Sequence, residues 1–424
     1  MVPASLLTTD AGTPSTRRIF RRQQPTQATT HHARWLTVTL VAMVVLNSAV
    51  AGALAASSEQ QPAQAWDDQP TDVQFSTPED LQAAVSAPHW FVLEVATGKG
   101  IFGHQWDIPR PVASAVKIAT ALTTVRRSAI DDTLVIPDEF PLPLGASAGI
   151  SAGQTWTIED LLEALIARSG NDAAEVVAWH VAGDRESFVE MMRHDLAALG
   201  LGSAVVSDPS GLDDANRFTA QQLAILGATA LTDPELGPLL GRTHVDLPTS
   251  AHQPSRNLLL ESYPGATGIK TGYTQQAGNV LVGSARRAKR ELVVVVMDAH
   301  HDPARFDDAA RLLDHTFATT QLAQRSPTLE TRGGSGSVRW STGPVYVTVP
   351  RGSVLDLTWP WPAYTPEGPL LVQVLVDGMV VEILEAERHL VGGNGNEQAA
   401  GLGSALADGV YAALRSAAVH DELR

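Results

Sequence analysis

Of the chain's 30 basic residues only four are lysines, and two of these lie in patterns that could do chemistry. Arginine keeps its proton in proteins, whereas lysine can lose one when its surroundings shift its pKa. Lys117 follows Ser114 by three positions, a spacing that puts both side chains on one face of a helix. A serine hydroxyl is a poor nucleophile until a neighbouring base takes its proton. The pair indicates a serine nucleophile with a lysine base, or else an exposed helical pair.

The second lysine pattern is Lys270-Thr271-Gly272, inside a strand-like segment. Glycine within a strand weakens it and often marks the close approach of a ligand. Lysine and threonine beside that glycine supply a cation and a hydroxyl. The segment therefore predicts a binding position for a carboxylate.

Between the two lysine patterns, Ser169-Gly170-Asn171 offers a hydroxyl and an amide in a turn. Taken alone, this triplet is also what an ordinary helix end looks like, because Gly and Asn are favoured there. In order along the chain, S-x-x-K is followed by S-x-N 55 residues on and by K-T-G a further 101 residues on. The ordered set is far more specific than any one of its members.

The elements that must position these residues follow from periodicity and capping signals. Helices are predicted at residues 114–124, 157–179, 185–199, 219–231 and 304–317, and strands at 89–95, 269–273, 279–285 and 292–297. Mixed helices and strands, with strands at both ends of the region, predict an α+β catalytic domain over residues 87–323.

A composition shift at residues 325–337 separates this region from a second, β-rich one. Strand patterns occur at residues 345–349, 354–359, 370–376 and 379–384, and Asp377-Gly378 is a strong hairpin signal. We expect a small all-β domain over residues 338–392. Four-residue spacing of leucine and valine predicts a C-terminal helix over 397–418.

The N-terminal residues point to a location outside the cytoplasm. Residues 1–34 hold five arginines and one acidic residue and are predicted to be a disordered basic segment. Residues 35–56 are either a transmembrane anchor with the arginines inside or a cleaved signal peptide. Residues 57–86 are polar and proline-containing, which is typical of a linker. Both alternatives make the body extracytoplasmic.

Composition excludes several function classes. A net charge of −16 makes a nucleic-acid partner unfavourable, because the body repels phosphates. The absence of cysteine excludes thiol catalysis, disulfides and cysteine–zinc sites. His300-His301-Asp302 could suggest a metal ligand set, but without further ligand spacing a loop is favoured. No metal and no organic cofactor is expected.

With these motifs in order, the chain resembles the serine penicillin-binding proteins and β-lactamases, and most closely the D-alanyl-D-alanine carboxypeptidases of peptidase family S11. Residues 112–122 (VASAVKIATAL) resemble the family's nucleophile helix, and 169–174 (SGNDAA) its second motif. Residues 208–212 (DPSGL) resemble a family loop, and 268–274 (GIKTGYT) the third motif. The likeness covers about residues 88–320 and continues at 347–352 (VTVPRG) in the β region.

The resemblance implies a β-lactamase/transpeptidase-like fold, an antiparallel sheet with helices, followed by the small β domain. It implies removal of the terminal D-alanine from peptidoglycan stem peptides that end in D-Ala-D-Ala, and acylation by β-lactam antibiotics. Ser114 would attack, Lys117 would take its proton, Ser169 would relay a proton to the leaving amine, and Asn171 would orient Lys117 and the substrate.

The third motif would bind the substrate. Lys270 would supply positive potential and Thr271 would hold the terminal carboxylate. Gly272 would allow close approach, and the backbone N–H of Tyr273 would join that of Ser114 in stabilising the oxyanion. The family also uses an arginine downstream of this motif for the carboxylate. In this sequence Arg290 is the expected substitute.

Two other functions compete with this hypothesis. A β-lactamase or other serine hydrolase on the same scaffold would need fast deacylation, for which the sequence offers no obvious glutamate motif. A wall-binding or regulatory module with a lapsed active site is the alternative from another class. The retained serine, lysine, asparagine and threonine side chains argue against a lapsed site.

Overall fold

A computed structural model describes residues 77–138, 140, 145–326, 328–333, 336–342, 344–358 and 370–391 of the 424-residue chain. Residues 1–34, 35–56 and 397–418, for which predictions were made above, lie outside this part. So do residues 57–76 of the predicted linker. No helix within the described ranges has the length and apolar character that a membrane span requires.

Helices and strands alternate along the described part. The helices are α1 Glu79–Ala84, α2 Lys117–Val125, α3 Ile158–Ile166, α4 Asn171–Ala182, α5 Arg185–Ala198, α6 Ala220–Thr232, α7 Gly237–Leu240, α8 Leu259–Ser262 and α9 Asp302–Thr319, with a 3₁₀ turn Ala113–Val116 before α2. The strands up to α9 are β1 His89–Glu94, β2 Gly100–His104, β3 Arg110–Pro111, β4 Thr133–Val135, β5 Thr155–Thr157, β6 Arg217–Phe218, β7 His244–Leu247, β8 Ser250–Pro254, β9 Ala266–Thr274, β10 Gly278–Arg287 and β11 Arg290–Ala299. Those that follow α9 are β12 Thr320–Arg325, β13 Thr328–Gly333, β14 Gly336–Ser341, β15 Val345–Pro350, β16 Leu355–Thr358, β17 Leu370–Val376 and β18 Met379–Val391.

A five-stranded antiparallel sheet in the order β2-β1-β11-β10-β9 forms the centre. Because strand side chains alternate between faces, Phe91 and Leu93 pack into one apolar core, while Trp90 and Val92 pack into another on the opposite face. The larger core includes residues of α2 to α6, and the smaller one residues of α1 and α9. The predicted α+β architecture is confirmed.

One predicted helix is in fact two. The segment 157–179 was expected to be continuous, but the chain turns between α3 and α4, where Ser169 has a left-handed φ of 62°. Helix α3 begins with a capping box in which the Thr157 hydroxyl accepts from Asp160 N and the Asp160 carboxylate accepts from Thr157 N. The break places the start of α4, at Asn171, next to α2.

The strands after α9 form a β-rich region. A two-stranded pair, β12-β15, accompanies a five-stranded sheet in the order β13-β14-β18-β17-β16, and Asp377-Gly378 makes the predicted hairpin turn with both φ angles positive. Strand β13 and the start of β14 lie in the segment 325–337, which the sequence had suggested was only a boundary. The limits 87–323 and 338–392 as separate domains stay predictions.

Candidate active site

Ser114 and Lys117 lie at the junction of the 3₁₀ turn and α2. The Lys117 side chain is fully buried, and its Nζ lies 3.1 Å from Ser114 Oγ and 2.7 Å from Asn171 Oδ1. Lys117 also donates a hydrogen bond to the carbonyl oxygen of Ser210. A neutral amine has two N–H bonds and one lone pair, so the two oxygens take the N–H bonds and the lone pair faces the serine hydroxyl. The contacts suit Lys117 to act as a base for Ser114.

Burial lowers the pKa of Lys117 from its ordinary range to about 7. Negative charges nearby raise the pKa of Lys117 and so oppose the effect of burial; they are the carboxylates of Asp208, Asp172 and Glu175. The Arg256 guanidinium lowers this pKa further. A lysine with a pKa near neutrality can accept a proton at physiological pH and give it up again, as a general base must.

Asp208 shapes the loop that presents the Ser210 carbonyl to Lys117. Its Oδ1 accepts hydrogen bonds from Ser210 N at 2.6 Å, Ser210 Oγ at 2.7 Å and Gly211 N at 2.7 Å, and its Oδ2 accepts from Asp213 N at 2.7 Å. Burial alone would raise the pKa of Asp208, but these hydrogen bonds outweigh it and hold the pKa below its usual range. The motif resembling a family loop therefore has a structural task at the site.

Asn171 begins α4, and the next residue ties a second loop to the same helix. The buried Asp172 carboxylate accepts from Ser147 Oγ at 2.6 Å and from the backbone N–H groups of residues 148–150. Asn171 N in turn donates to Ala146 O at 2.7 Å. Ser169, two residues before Asn171, is buried and lies in the turn between α3 and α4. These contacts hold Asn171 in place against Lys117.

Lys270, Thr271 and Gly272 lie on β9, the edge strand of the central sheet, and all three are buried. The Lys270 Nζ donates to Thr271 O at 2.8 Å. Burial lowers the pKa of Lys270 well below its ordinary range, and the positive charges of Lys117, Arg256 and Arg305 lower it further. An anion bound beside Lys270 would oppose these effects by favouring the charged form.

Two glycines allow the backbone to close around the peptide between Ala113 and Ser114. A Cβ on Gly272 would lie 2.8 Å from Val112 O and 3.1 Å from Ser114 N. A Cβ on Gly211, whose φ is +82°, would lie 2.0 Å from Ala113 O. Only glycine permits both approaches. Ala113 itself has φ +49°, a conformation that non-glycine residues seldom adopt, immediately before the candidate nucleophile.

The structure does not bring Arg290 to this cluster. Its buried guanidinium bonds to Glu94 and Thr320, where β11 begins, opposite Arg287 on β10. That is the far end of the sheet from Gly272, which pairs with Val280 near the start of β10. The expectation that Arg290 substitutes for the carboxylate-binding arginine is therefore corrected. Its charge balances Glu94 in the sheet instead.

The arginine that does reach the third motif is Arg305, which the sequence reasoning missed. Its Nη1 donates to Gly272 O at 3.0 Å, only 7% of the residue is exposed, and it is ion-paired with Asp302. Arg305 lies in the first turn of α9, where the helix dipole disfavours a cation. A cation in the first turn of a predicted helix is the feature of the sequence that could have marked Arg305 as a candidate functional residue. His301, considered above as a metal ligand, caps α9 by accepting from Ala304 N.

Tyr273 follows Gly272 and is 65% exposed, and its backbone continues the strand. The adjacent Thr274 hydroxyl donates to Asp214, which links the end of β9 to the loop organised by Asp208. Strand β9, the 3₁₀ turn and the loop after Asp208 together bring a hydroxyl, a lysine base and backbone N–H groups close to one another.

The sequence profile of the D-alanyl-D-alanine carboxypeptidases of peptidase family S11 matches residues 74–301. The chain belongs to this family. It is therefore a serine peptidase, as the motifs predicted. The match spans more than half of the chain and includes every residue of the cluster except Arg305.

Two curated family members illustrate the likeness. The chain is 30% identical to the D-alanyl-D-alanine carboxypeptidase DacB2 of Mycobacterium tuberculosis over 58% of this chain and 89% of that protein. It is also 30% identical to DacC of Escherichia coli, over 73% of this chain and 82% of the relative.

Solved structures agree with this fold. A D-alanyl-D-alanine carboxypeptidase of M. tuberculosis H37Rv matches with a TM-score of 0.52 at 30% identity, covering 55% of this chain and 92% of that one. Penicillin binding protein 5 of Haemophilus influenzae matches with a TM-score of 0.65 at 23% identity, covering 73% and 97%. This second likeness concerns the fold alone, and it confirms a penicillin-binding-protein architecture with a β-rich C-terminal region.

Proposed function

We propose that this S11 family member hydrolyses the peptide bond between the two terminal D-alanines of a peptidoglycan stem peptide. The observation that carries the proposal is the environment of Lys117. Its buried amine, with a pKa of about 7, lies 3.1 Å from Ser114 Oγ and has oxygen acceptors for its remaining N–H bonds. An inactive wall-binding module would not require this arrangement.

In the acylation step, Ser114 Oγ attacks the carbonyl carbon of the penultimate D-alanine while its proton passes to Lys117 Nζ. Negative charge then develops on the carbonyl oxygen, and the backbone N–H groups of Ser114 and Tyr273 stabilise it. The proximity of Gly272 to Ser114 N supports this, because it brings the strand carrying Tyr273 close to the nucleophile.

The tetrahedral intermediate collapses when the C–N bond to the terminal D-alanine breaks. The proton held by Lys117 moves by way of the Ser169 hydroxyl to the leaving amine, and Asn171 keeps Lys117 oriented through its Oδ1 contact. Free D-alanine leaves, and Ser114 keeps the shortened peptide as an ester. Water attacks this ester, restores the Ser114 hydroxyl and releases the peptide with a new carboxylate.

Recognition of the terminal carboxylate is assigned to the third motif. Thr271 offers a hydroxyl, Lys270 positive potential, and Arg305 takes the place that Arg290 was expected to have. Arg305 is suited to the task because its guanidinium already lies within hydrogen-bonding distance of Gly272 O. Since β-lactam antibiotics present an acyl group beside a carboxylate, they should acylate Ser114 as the peptide does.

The substrate lies in the cell wall, so we place the enzyme outside the cytoplasm. The basic residues 1–34 followed by the apolar segment 35–56 support export, with the segment either retained as an anchor or cleaved. The preferred peptide can be free or cross-linked, and the proposal does not depend on which.

Release of D-alanine from a peptide ending in Lys-D-Ala-D-Ala tests the proposal. The full chain should release one D-alanine per peptide, and Ser114→Ala, a near-isosteric change, should release none. A chain that hydrolyses penicillin rapidly and leaves the peptide intact would point to a β-lactamase. A folded chain with neither activity would point to a lapsed, wall-binding role.

A further inference from the structure

A buried carboxylate beside the candidate base is not used by the mechanism above. Glu175 lies on α4, one helical turn beyond Asn171, so the two side chains share a face of the helix. The residue is 8% exposed, and its Oε2 accepts from Arg185 Nε on α5 at 2.9 Å. Helix α4 packs against both α5 and α2, the helix that Lys117 begins.

We propose that Glu175, held by Arg185, is a positioning residue that sets the charge environment in which Lys117 exchanges its proton with Ser114. The inference rests on the proposed function, because it assigns Glu175 a role in the same acylation step. Glu175 touches neither Ser114 nor the substrate in this account and acts through its field at Lys117.

Charged groups face Lys117 from several elements. Asp208 does so from its loop and Asp172 from the start of α4, with Glu175 one turn further on, while the Arg256 guanidinium supplies positive charge. Lys270 is also coupled electrostatically to Lys117. Glu175 in turn faces Arg185, Asp208 and Lys117. Glu175 is thus one of three carboxylates near the base.

Glu175 differs from the other two carboxylates in its contacts. Asp208 and Asp172 accept several backbone N–H bonds and hold loops in place. Glu175 instead accepts from the side chain of Arg185, which is 53% exposed. The field of an exposed guanidinium is well screened by water, so it only partly cancels the charge of Glu175 at Lys117.

The effect on the base has a definite sign. Burial disfavours the protonated form of Lys117, and a nearby negative charge restores part of its basicity. A base must be neutral to accept a proton yet basic enough to bind it, so its best pKa lies near the working pH. By this reasoning the negative charge of Glu175 keeps the pKa of Lys117 near the working pH, whereas burial alone would lower it much further.

The test is the Glu175→Gln variant, which removes the charge at nearly constant volume. With only four lysines, a chain labelled with ¹³C-lysine allows Lys117 to be titrated directly by NMR. We expect its midpoint to fall by up to about one pH unit, because the loss of a nearby negative charge disfavours the protonated amine. The acid limb of the penicillin acylation rate should move down by the same amount.

Glu190→Gln is the matched control, because Glu190 lies on α5 in an exposed i,i+3 pair with Arg193. It should leave both the Lys117 midpoint and the acid limb unchanged. Glu175→Asp keeps the charge and should restore most of the wild-type profile. Should Glu175→Gln fail to fold, Glu175→Leu removes the same charge, and the Arg185 guanidinium left without its partner is exposed enough to be solvated by water.

The possible failures are distinguishable. If penicillin acylates the wild type at Ser114 but removal of the Glu175 charge leaves the Lys117 midpoint unmoved, the inference is overturned and the proposed function stands. The same holds if the rate falls equally at every pH, since that is what a purely structural role predicts. A wild type that never forms an adduct contradicts the proposed function itself.

Discussion

Replacing Gly272 by alanine tests whether acylation depends on the close approach of β9 to the nucleophile Ser114. The backbone of Gly272 is not in the left-handed region, so alanine meets no conformational penalty there, and the added methyl group is the whole perturbation. That methyl would lie 2.8 Å from Val112 O, 3.1 Å from Ser114 N and 3.2 Å from Ala113 Cβ. Two of these three neighbours are backbone atoms, which cannot turn aside as a flexible side chain can.

The size of the effect follows from these distances. Ordinary contact begins near 3.4 Å, so β9 and the 3₁₀ turn must separate by about 0.6 Å to relieve the contact at 2.8 Å. Overpacking of this kind costs about 1–3 kcal/mol of unfolding free energy, which a folded chain of this size should withstand. Loss of one oxyanion donor costs about 10²–10³ in rate, so partial displacement should slow acylation roughly 10- to 100-fold.

Gly283→Ala is the matched control for the assay. Gly283 lies on the adjacent strand β10, and its Cβ would meet Leu259 Cδ2 at 2.8 Å and Val294 Cγ1 at 3.2 Å, both side-chain atoms remote from Ser114. Acylation by a fluorescent penicillin is followed under pseudo-first-order conditions, beside thermal unfolding of each variant. The control should lose stability at an unchanged acylation rate. Wild-type acylation by Gly272→Ala would refute the argument that this glycine sets the oxyanion geometry.

Three further predictions concern the charged groups of the site. Lys117→Arg should abolish acylation, because arginine does not release its proton. Lys270→Arg keeps a cationic side chain and should retain part of the acylation rate. Equal acylation rates of the two variants with the same penicillin would contradict these separate roles. The preference for a peptide with a free C-terminal carboxylate is measured as the ratio of its kcat/KM to that of the C-terminal amide. Arg305→Gln should reduce this ratio by about tenfold. An unchanged ratio would show that Arg305 does not bind the carboxylate. The lowered pKa of Asp208 means that its carboxylate stabilises the fold above the unfolded-state pKa and loses this effect as the pH falls through the folded-state pKa. The difference in unfolding free energy between the wild type and Asp208→Asn should therefore be full at about pH 6 and shrink below about pH 4, and a difference independent of pH would oppose this.

Much of the site could be predicted because its chemistry is local in sequence. Ser114 and Lys117 are three residues apart, and Lys270, Thr271 and Gly272 are consecutive, so residue type and short spacing were sufficient signals. The family match over residues 74–301 confirmed what these motifs implied about the fold.

Tertiary contacts decided the parts that the sequence reasoning did not reach. Arg290 and Arg305 are both arginines downstream of the third motif, and the local pattern sets them apart only by the position of Arg305 in the first turn of a helix. The strand register takes Arg290 to the far end of the sheet, while the packing of α9 takes Arg305 to Gly272. Apolar periodicity similarly continues through residues 157–179, and only the left-handed φ of Ser169 divides them into two helices.

The most direct test of the central claim is mass spectrometry of the full chain after incubation with penicillin. We expect a mass increase equal to one intact penicillin, located on the peptide that contains Ser114. It should be lost slowly in buffer and be absent from Ser114→Ala. An adduct on another residue, or one that persists in Ser114→Ala, would contradict the assignment of the nucleophile. No adduct on a folded wild type at any pH between 6 and 9 would contradict the acyl-enzyme mechanism.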